Sequence, residues 1–244
     1  MSDTGPAGAP RRAALVFIFV TIVLDMLALG MIIPVLPHLI EDFLGGDTAG
    51  AAKVYGVFGT AWALMQFVSM PIMGALSDRF GRRRVILISN LGLGLDYVLM
   101  ALAPNLAWLF VGRIISGICA ASVSTGMAYV ADVTPVERRS AAFGKLGVAF
   151  GLGFVLGPAL GGMLGSIDPR LPFWAAAGFS LANALYGLFV LPESLPPERR
   201  RPFEWRRANP MGSLKLLRSH PELFGLAGVV FLSLVRILSR RRGA

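Results

Sequence analysis

Apolar positions along this 244-residue chain gather into long runs rather than short alternating stretches. The runs fall at 13–37, 54–76, 84–103, 106–131, 140–165 and 172–192. An α-helix needs about 20 mostly apolar residues to cross a hydrocarbon core of roughly 30 Å, and each run is long enough. None shows the strict alternation of a membrane β-barrel strand. Lipid offers no hydrogen-bond partner to a backbone N–H, so continuous helices are the remaining solution. The pattern predicts an all-α membrane protein: a polar tail at 1–12, six spanning helices within 13–192, and a linker at 193–220. A weaker apolar run at 221–238 predicts an incomplete seventh helix that ends, with a basic tail, at 244.

Between the runs, the outer connections are short, with 38–53 the longest and 104–105 only Pro104 and Asn105. Short connections make neighbouring helices antiparallel members of one bundle. The fifth run carries Gly147, Gly151, Gly153, Gly157, Gly161, Gly162 and Gly165. Small residues at such spacing let helix backbones approach where lipid supplies no hydrophobic driving force. After Leu191 the stretch PESLPPERRRPFEWRRANP turns proline-rich and charged, as a linker between two membrane halves does. A short amphipathic surface helix is expected around 211–219.

At 55% hydrophobic and 15% charged, the composition agrees with lipid as the main solvent. The net charge of +9 would suggest nucleic acid in a soluble protein, but its placement gives another meaning. Arg11 and Arg12 precede the first run; Arg79, Arg82, Arg83 and Arg84 follow the second; Arg138, Arg139 and Lys145 follow the fourth; and seven Lys/Arg lie between Arg199 and Arg218. The opposite loops carry only Lys53 and Arg170. Positive residues stay in the cytoplasm, so the N-terminus is inside and six crossings bring the chain back inside. No nucleic-acid partner is expected. The single cysteine, Cys119, excludes an internal disulfide and reads as a small packing residue.

Few ionisable groups enter the apolar runs: Asp25, Asp96, Arg113 and, at an edge, Asp132. A charge at mid-bilayer costs at least about 2.5–3.5 kcal/mol, so it faces the bundle interior and marks a pathway. Two carboxylates and an arginine around a cavity can pair with one another, a cationic substrate or a proton. The plain structural alternative is a permanent ion pair that fixes helix register. Gln66 suits either a cavity contact or an interhelical hydrogen bond. His38 and His220 read as interfacial residues.

The segment GALSDRFGRRR, Gly74 to Arg84, joins the second and third runs. Here Gly74 is expected to let the helix end approach a neighbour, and Gly81 to permit a tight turn. Asp78 can accept from a helix N-terminus, and Arg79 and Arg82 supply the charge. The next inner connection, AYVADVTPVERR, repeats an acid followed by arginines. An Arg82–Asp132 contact with Arg139 nearby would clamp the inner ends of helices two to five, as a latch rather than a binding site.

These motifs resemble the major facilitator superfamily. The resemblance rests on GALSDRFGRRR, on Gly112-Arg113-Ile-Ile-Ser-Gly117, and on FGLGFVLGPALGG at 150–162. It is nearest to the tetracycline-efflux antiporters through Asp25, Gly30 and Pro34, ALMQF at 63–67 and LDYVLMA at 95–101. It covers about 13–235. The resemblance implies a six-helix N-terminal bundle built of inverted three-helix repeats, and export of a tetracycline–divalent-metal complex in exchange for protons across the inner (cytoplasmic) membrane. It also implies that Asp25, Gln66, Asp96 and Arg113 line the drug and proton cavity. By the same likeness, Asp78 and Arg82 belong to a gating loop, while Gly153, Gly157, Pro158, Gly161 and Gly162 form an antiporter motif with its bend at Gly157 and Pro158. No resident cofactor or metal is expected; the partners are lipid, a small drug and protons.

Two departures bear on activity. The second set of helices the family uses is not in the chain. Arg236, Arg240, Arg241 and Arg242 would also reach the outer face, against the charge rule kept elsewhere. The expectation is a frame truncated or shifted near residue 235, a natural tail being the alternative, and a half that does not transport alone. Rival readings are an exporter of another small molecule and a non-transporting fragment that associates with membrane partners. An enzyme is not expected: no metal-ligand cluster, G-x-S-x-G elbow or phosphate-cradling loop is present.

Overall fold

A computed structural model describes residues 8–120, 122–205, 208, 209 and 225. The expected surface helix at 211–219, His220, nearly all of the seventh run and the basic tail lie outside the described residues. Seven α-helices make up the rest: α1 (Gly8–Phe43), α2 (Thr48–Phe80), α3 (Arg82–Ala101), α4 (Leu106–Ala120), α5 (Ser122–Val133), α6 (Arg139–Gly165) and α7 (Leu171–Val190). α4 and α5 together form one span, Leu106–Val133, so the described residues hold six helices long and apolar enough to cross a membrane.

Several helices run past the apolar runs that announce them. α1 continues through Pro34 and Pro37 to Phe43, and α2 begins at Thr48, where the Asp47 side chain accepts from the Gly50 N–H at 2.9 Å. Polarity marks where hydrocarbon ends. The helix itself ends only where a cap takes over its free N–H or C=O groups. The same overshoot changes the inner connection between α2 and α3. Its first residues, Gly74 to Phe80, are the last two turns of α2, and Gly81 alone separates the helices, at φ 100° and ψ 149°. That left-handed φ is open to glycine at little cost.

α1 lies mainly against α6 and α7, α3 against α7 and α4, and α2 against α4. Exchanging the first three spans for the last three maps these pairings onto themselves, as two three-helix repeats of opposite orientation require. Two apolar clusters fill the interior. The outer one runs along α1 from Leu27 to Ile40 with Leu93, Tyr97, Met100, Leu109 and Phe173. The inner one joins Phe17, Ile18 and Ile22 to Ile86, Tyr129, Val130 and Leu146. The buried polar side chains gather chiefly around the junction of the two. α2 is the least buried of the spans: 11% of its most apolar window is buried, against 56% for α1.

Candidate functional site

Asp25 stands where the two apolar clusters meet on α1, and it shares one cavity wall with Trp62 and Gln66 of α2, Tyr97 of α3, and Arg113 and Ser116 of α4. The enclosed space is small, about 40 Å³, room for ordered water. Asp25 and Arg113 are each 7% exposed. No ion pair joins them among the described residues, and Asp25 Oδ1 and Arg113 Nε lack hydrogen-bond partners. The Arg113 guanidinium instead lies 5.6 Å from the centre of the Trp62 ring, within cation–π range. Two buried charges held apart, each short of a partner, suit a site that receives a ligand better than a fixed pair that sets helix register.

Asp96 is placed differently from the expectation. It is 2% exposed, but it does not belong to the cavity wall; Tyr97 does. Its carboxyl lies against Gly112, where an added Cβ would come within 3.1 Å of Oδ1, and neither oxygen has a hydrogen-bond partner. The helical step of 100° per residue separates the two neighbours onto different faces. Asp96 thus sits at the α3–α4 contact rather than at the cavity wall.

At the end of the bundle where α2 passes into α3, the expected Arg82–Asp132 contact is present, within a larger cluster than expected. Arg82 pairs with Asp78 one turn earlier at 2.6 Å and with Asp132 at 3.2 Å, and it donates to the Ser77 hydroxyl. Arg139 is near but does not touch Asp132. Its guanidinium donates to the carbonyls of Ala131 at 2.9 Å and Thr134 at 3.3 Å, closing the end of α5. Arg79 is exposed and lies over the Phe80 ring. Gly74 does not serve a close approach, since a Cβ there would meet nothing within 4 Å.

The group that holds this region together is Glu193. Its Oε1 accepts from the backbone N–H of Arg82 at 2.9 Å, and from those of Ser194 and Leu195 at 3.1 Å. Gly81 caps α3 with no side chain, so Glu193 supplies the acceptor from the far end of α7. A Cβ on Gly81 would collide with that carboxylate, a second reason for glycine there. In return Arg83 donates to the Leu188 carbonyl at 2.6 Å. At the outer end Arg170 donates to the carbonyls of Ala101 and Ala103 at 3.0 and 3.1 Å. α3 and α7 are therefore joined at both ends.

The glycines of α6 divide by face. Gly153, Gly157 and Gly161, spaced by four, are buried against Met26, Gly30 and Met31 of α1, where any Cβ would strike backbone. Gly165 meets Val35, while Gly147, Gly151 and Gly162 face open space. Gly162 is thus not part of the α1 contact. Pro158 lies within an α6 that stays helical through it, with its ring near Gly30.

Residues 18–239 match the model of the Major Facilitator Superfamily. The chain belongs to that superfamily. This major facilitator chain is 43% identical to the class C tetracycline resistance protein of Escherichia coli over 90% of its own length and 54% of that protein. It is 38% identical to the class D protein of Salmonella ordonez, over 85% of the chain and 52% of the relative. The crystal structure of the human organic anion transporter MFSD10 superposes with a TM-score of 0.71 at 31% identity, covering 79% of this chain and 50% of that one. The chain spans about half the length of the curated relatives it matches.

Within this major facilitator bundle, sequence reasoning brought forward Asp25, Gln66 and Arg113, which do meet in one cavity, and Arg82 and Asp132, which do pair. It passed over Trp62, Tyr97, Ser116 and Glu193. The three cavity residues carry no charge to make them stand out from an apolar run. Glu193 sat in a linker whose charges look solvated until α3 and α7 are placed together.

Proposed function

We propose that this chain forms one half of a proton-coupled antiporter that exports tetracycline or a similar small drug, carried as a divalent-metal complex. The observation that carries the reading is the cavity with Asp25, Gln66 and Arg113 at its wall and with its charged groups unpaired. A carboxylate there binds a proton or a cationic partner, not both at once, so occupancy by one favours release of the other. Arg113 is the positioning countercharge, Gln66 and Tyr97 are hydrogen-bonding groups for the drug, and Asp96 is a second proton site behind the wall. The Arg82–Asp132–Glu193 cluster is the inner latch, and its breaking lets the inner ends part. The likeness to the tetracycline resistance proteins supports the substrate class. The arginines at the inner helix ends support a cytoplasmic N-terminus.

Everted membrane vesicles carrying this bundle joined to the second half of a tetracycline resistance protein test the reading. They should accumulate the tetracycline–metal complex when a proton gradient is imposed. Asp25→Asn should abolish that uptake at an unchanged protein level in the membrane. Uptake equal to that of the unaltered protein would reject the assignment.

A second reading takes an organic anion on Arg113. It is favoured by the Arg113 Nε that lacks a hydrogen-bond partner at the wall and by the likeness to the human organic anion transporter. Competition of tetracycline uptake by simple aromatic carboxylates separates the two: strong competition favours the anion.

A further inference from the structure

Below Asp25, on the inner side of the cavity, a second set of polar groups is sealed among α1, α3 and α7. Thr21 is one helical turn from Asp25 on the same face of α1. It is 5% exposed, and its hydroxyl donates to Asn183 Oδ1 of α7 at 3.1 Å. Asn183 is 2% exposed and its Nδ2 has no partner. The antiparallel α3–α7 register is given by Gly187 against Leu87 and Gly94 against Leu181. It puts Asn90 opposite Ala184, the residue next to Asn183. Asn90 is fully buried, and neither atom of its amide is hydrogen-bonded. Ser180 and Ala184, on the same α7 face as Asn183, are small and buried.

Buried amide donors and acceptors are normally satisfied, and where protein does not satisfy them ordered water does. A bundle fixed only for packing would fill this level with leucine. Instead, polar groups leave the cavity at Asp25 and continue inward to Phe17 and Leu87, which close the seam on either side of Gly187.

We propose that Thr21, Asn90 and Asn183 form a water-holding proton relay that leads from Asp25 toward the inner face, apart from the drug cavity. This rests on the reading of Asp25 as the proton carrier. The step is a simple transfer: the protonated Asp25 carboxyl gives its proton to a water held by Thr21 and Asn183, leaving a carboxylate and a hydronium ion, with no change of oxidation state. Separate routes would let drug and proton exchange at one carboxylate without sharing an exit.

Silver ion is a water-sized cation that reacts with thiols, fastest as thiolates, which form where water reaches. In a Cys119→Ser background in native membranes, Thr21→Cys, Ile22→Cys and Asp25→Cys are exposed to it. Residual thiol is then counted with a maleimide after denaturation. Thr21→Cys should react at least about tenfold faster than Ile22→Cys, and adding Asn183→Leu should remove most of that advantage. Thr21→Cys as slow as Ile22→Cys, with Asp25→Cys fast, overturns the relay and leaves the cavity reading standing. A slow Asp25→Cys overturns both. In vesicles with the joined second half, Thr21→Val should lower proton-driven uptake about tenfold while sparing drug-for-drug exchange, and Thr21→Ser should restore it. Equal loss of both activities in Thr21→Val also overturns the relay.

Discussion

Acidic residues of similar appearance have very different weight at the inner face. Asp78 meets Arg82 with its own side chain 41% exposed, the geometry of a pair that contributes about 0–1 kcal/mol. Glu193 is 26% exposed, accepts several backbone N–H groups, and stands where α3 has no other cap. Losing such a cap costs about 0.5–2 kcal/mol. Glu193→Ala should therefore lower stability in mixed micelles by roughly that amount, and Asp78→Asn by less than about 1 kcal/mol. Denaturant melts followed by circular dichroism measure both; a larger loss for Asp78→Asn would reverse the ranking. The sequence displayed the embedded charges because lipid makes each one exceptional. It hid Glu193 because a carboxylate among linker arginines is ordinary until another helix end is brought to it. Asp96 shows the converse. Its charge was conspicuous, yet which face of α3 carries it to which neighbour depends on helix rotation, and rotation is set by packing.

At the level of helices, the α1–α6 contact is a run of glycine against backbone, and the open face of α6 gives a built-in comparison. Gly157→Ile must push α1 away from Gly30, an overpacking that costs about 1–3 kcal/mol. Gly162→Ile enters open space and should stay within about 0.5 kcal/mol of the parent. The same melts distinguish them, and equal effects would mean that the α1–α6 seam does not depend on small residues. The glycine count was visible in the chain, and so was the four-residue spacing of 153, 157 and 161. Which glycines face the neighbour was not, because α6 carries glycine on both sides. Helix ends were legible only as far as the hydrocarbon edge; Asp47, Gly81 and the turns beyond Pro37 extend the helices where polarity had already stopped the apolar runs.

For the whole molecule, six spans among the described residues and their membership of the major facilitator superfamily follow from features written along the chain, run length and motif order; the pairing of α1 with α6 does not, since short loops point only to neighbours in sequence. Arginine placement predicts the orientation, which can be checked directly. With Cys119 replaced by Ser, a membrane-impermeant thiol reagent added to intact cells should label Ile167→Cys and leave Val136→Cys unlabelled. Both positions are exposed loop residues, at 76% and 69%, so the reverse result would invert the topology. The outward tie of Arg170 and the inward ties of Glu193 and Arg83 have a mechanical corollary. A pair of rods pinned together at both tips can tilt but cannot slide lengthwise. A displacement delivered to α3 at one end would therefore reappear at the other as a swing of both rods, in the manner of a rocker arm.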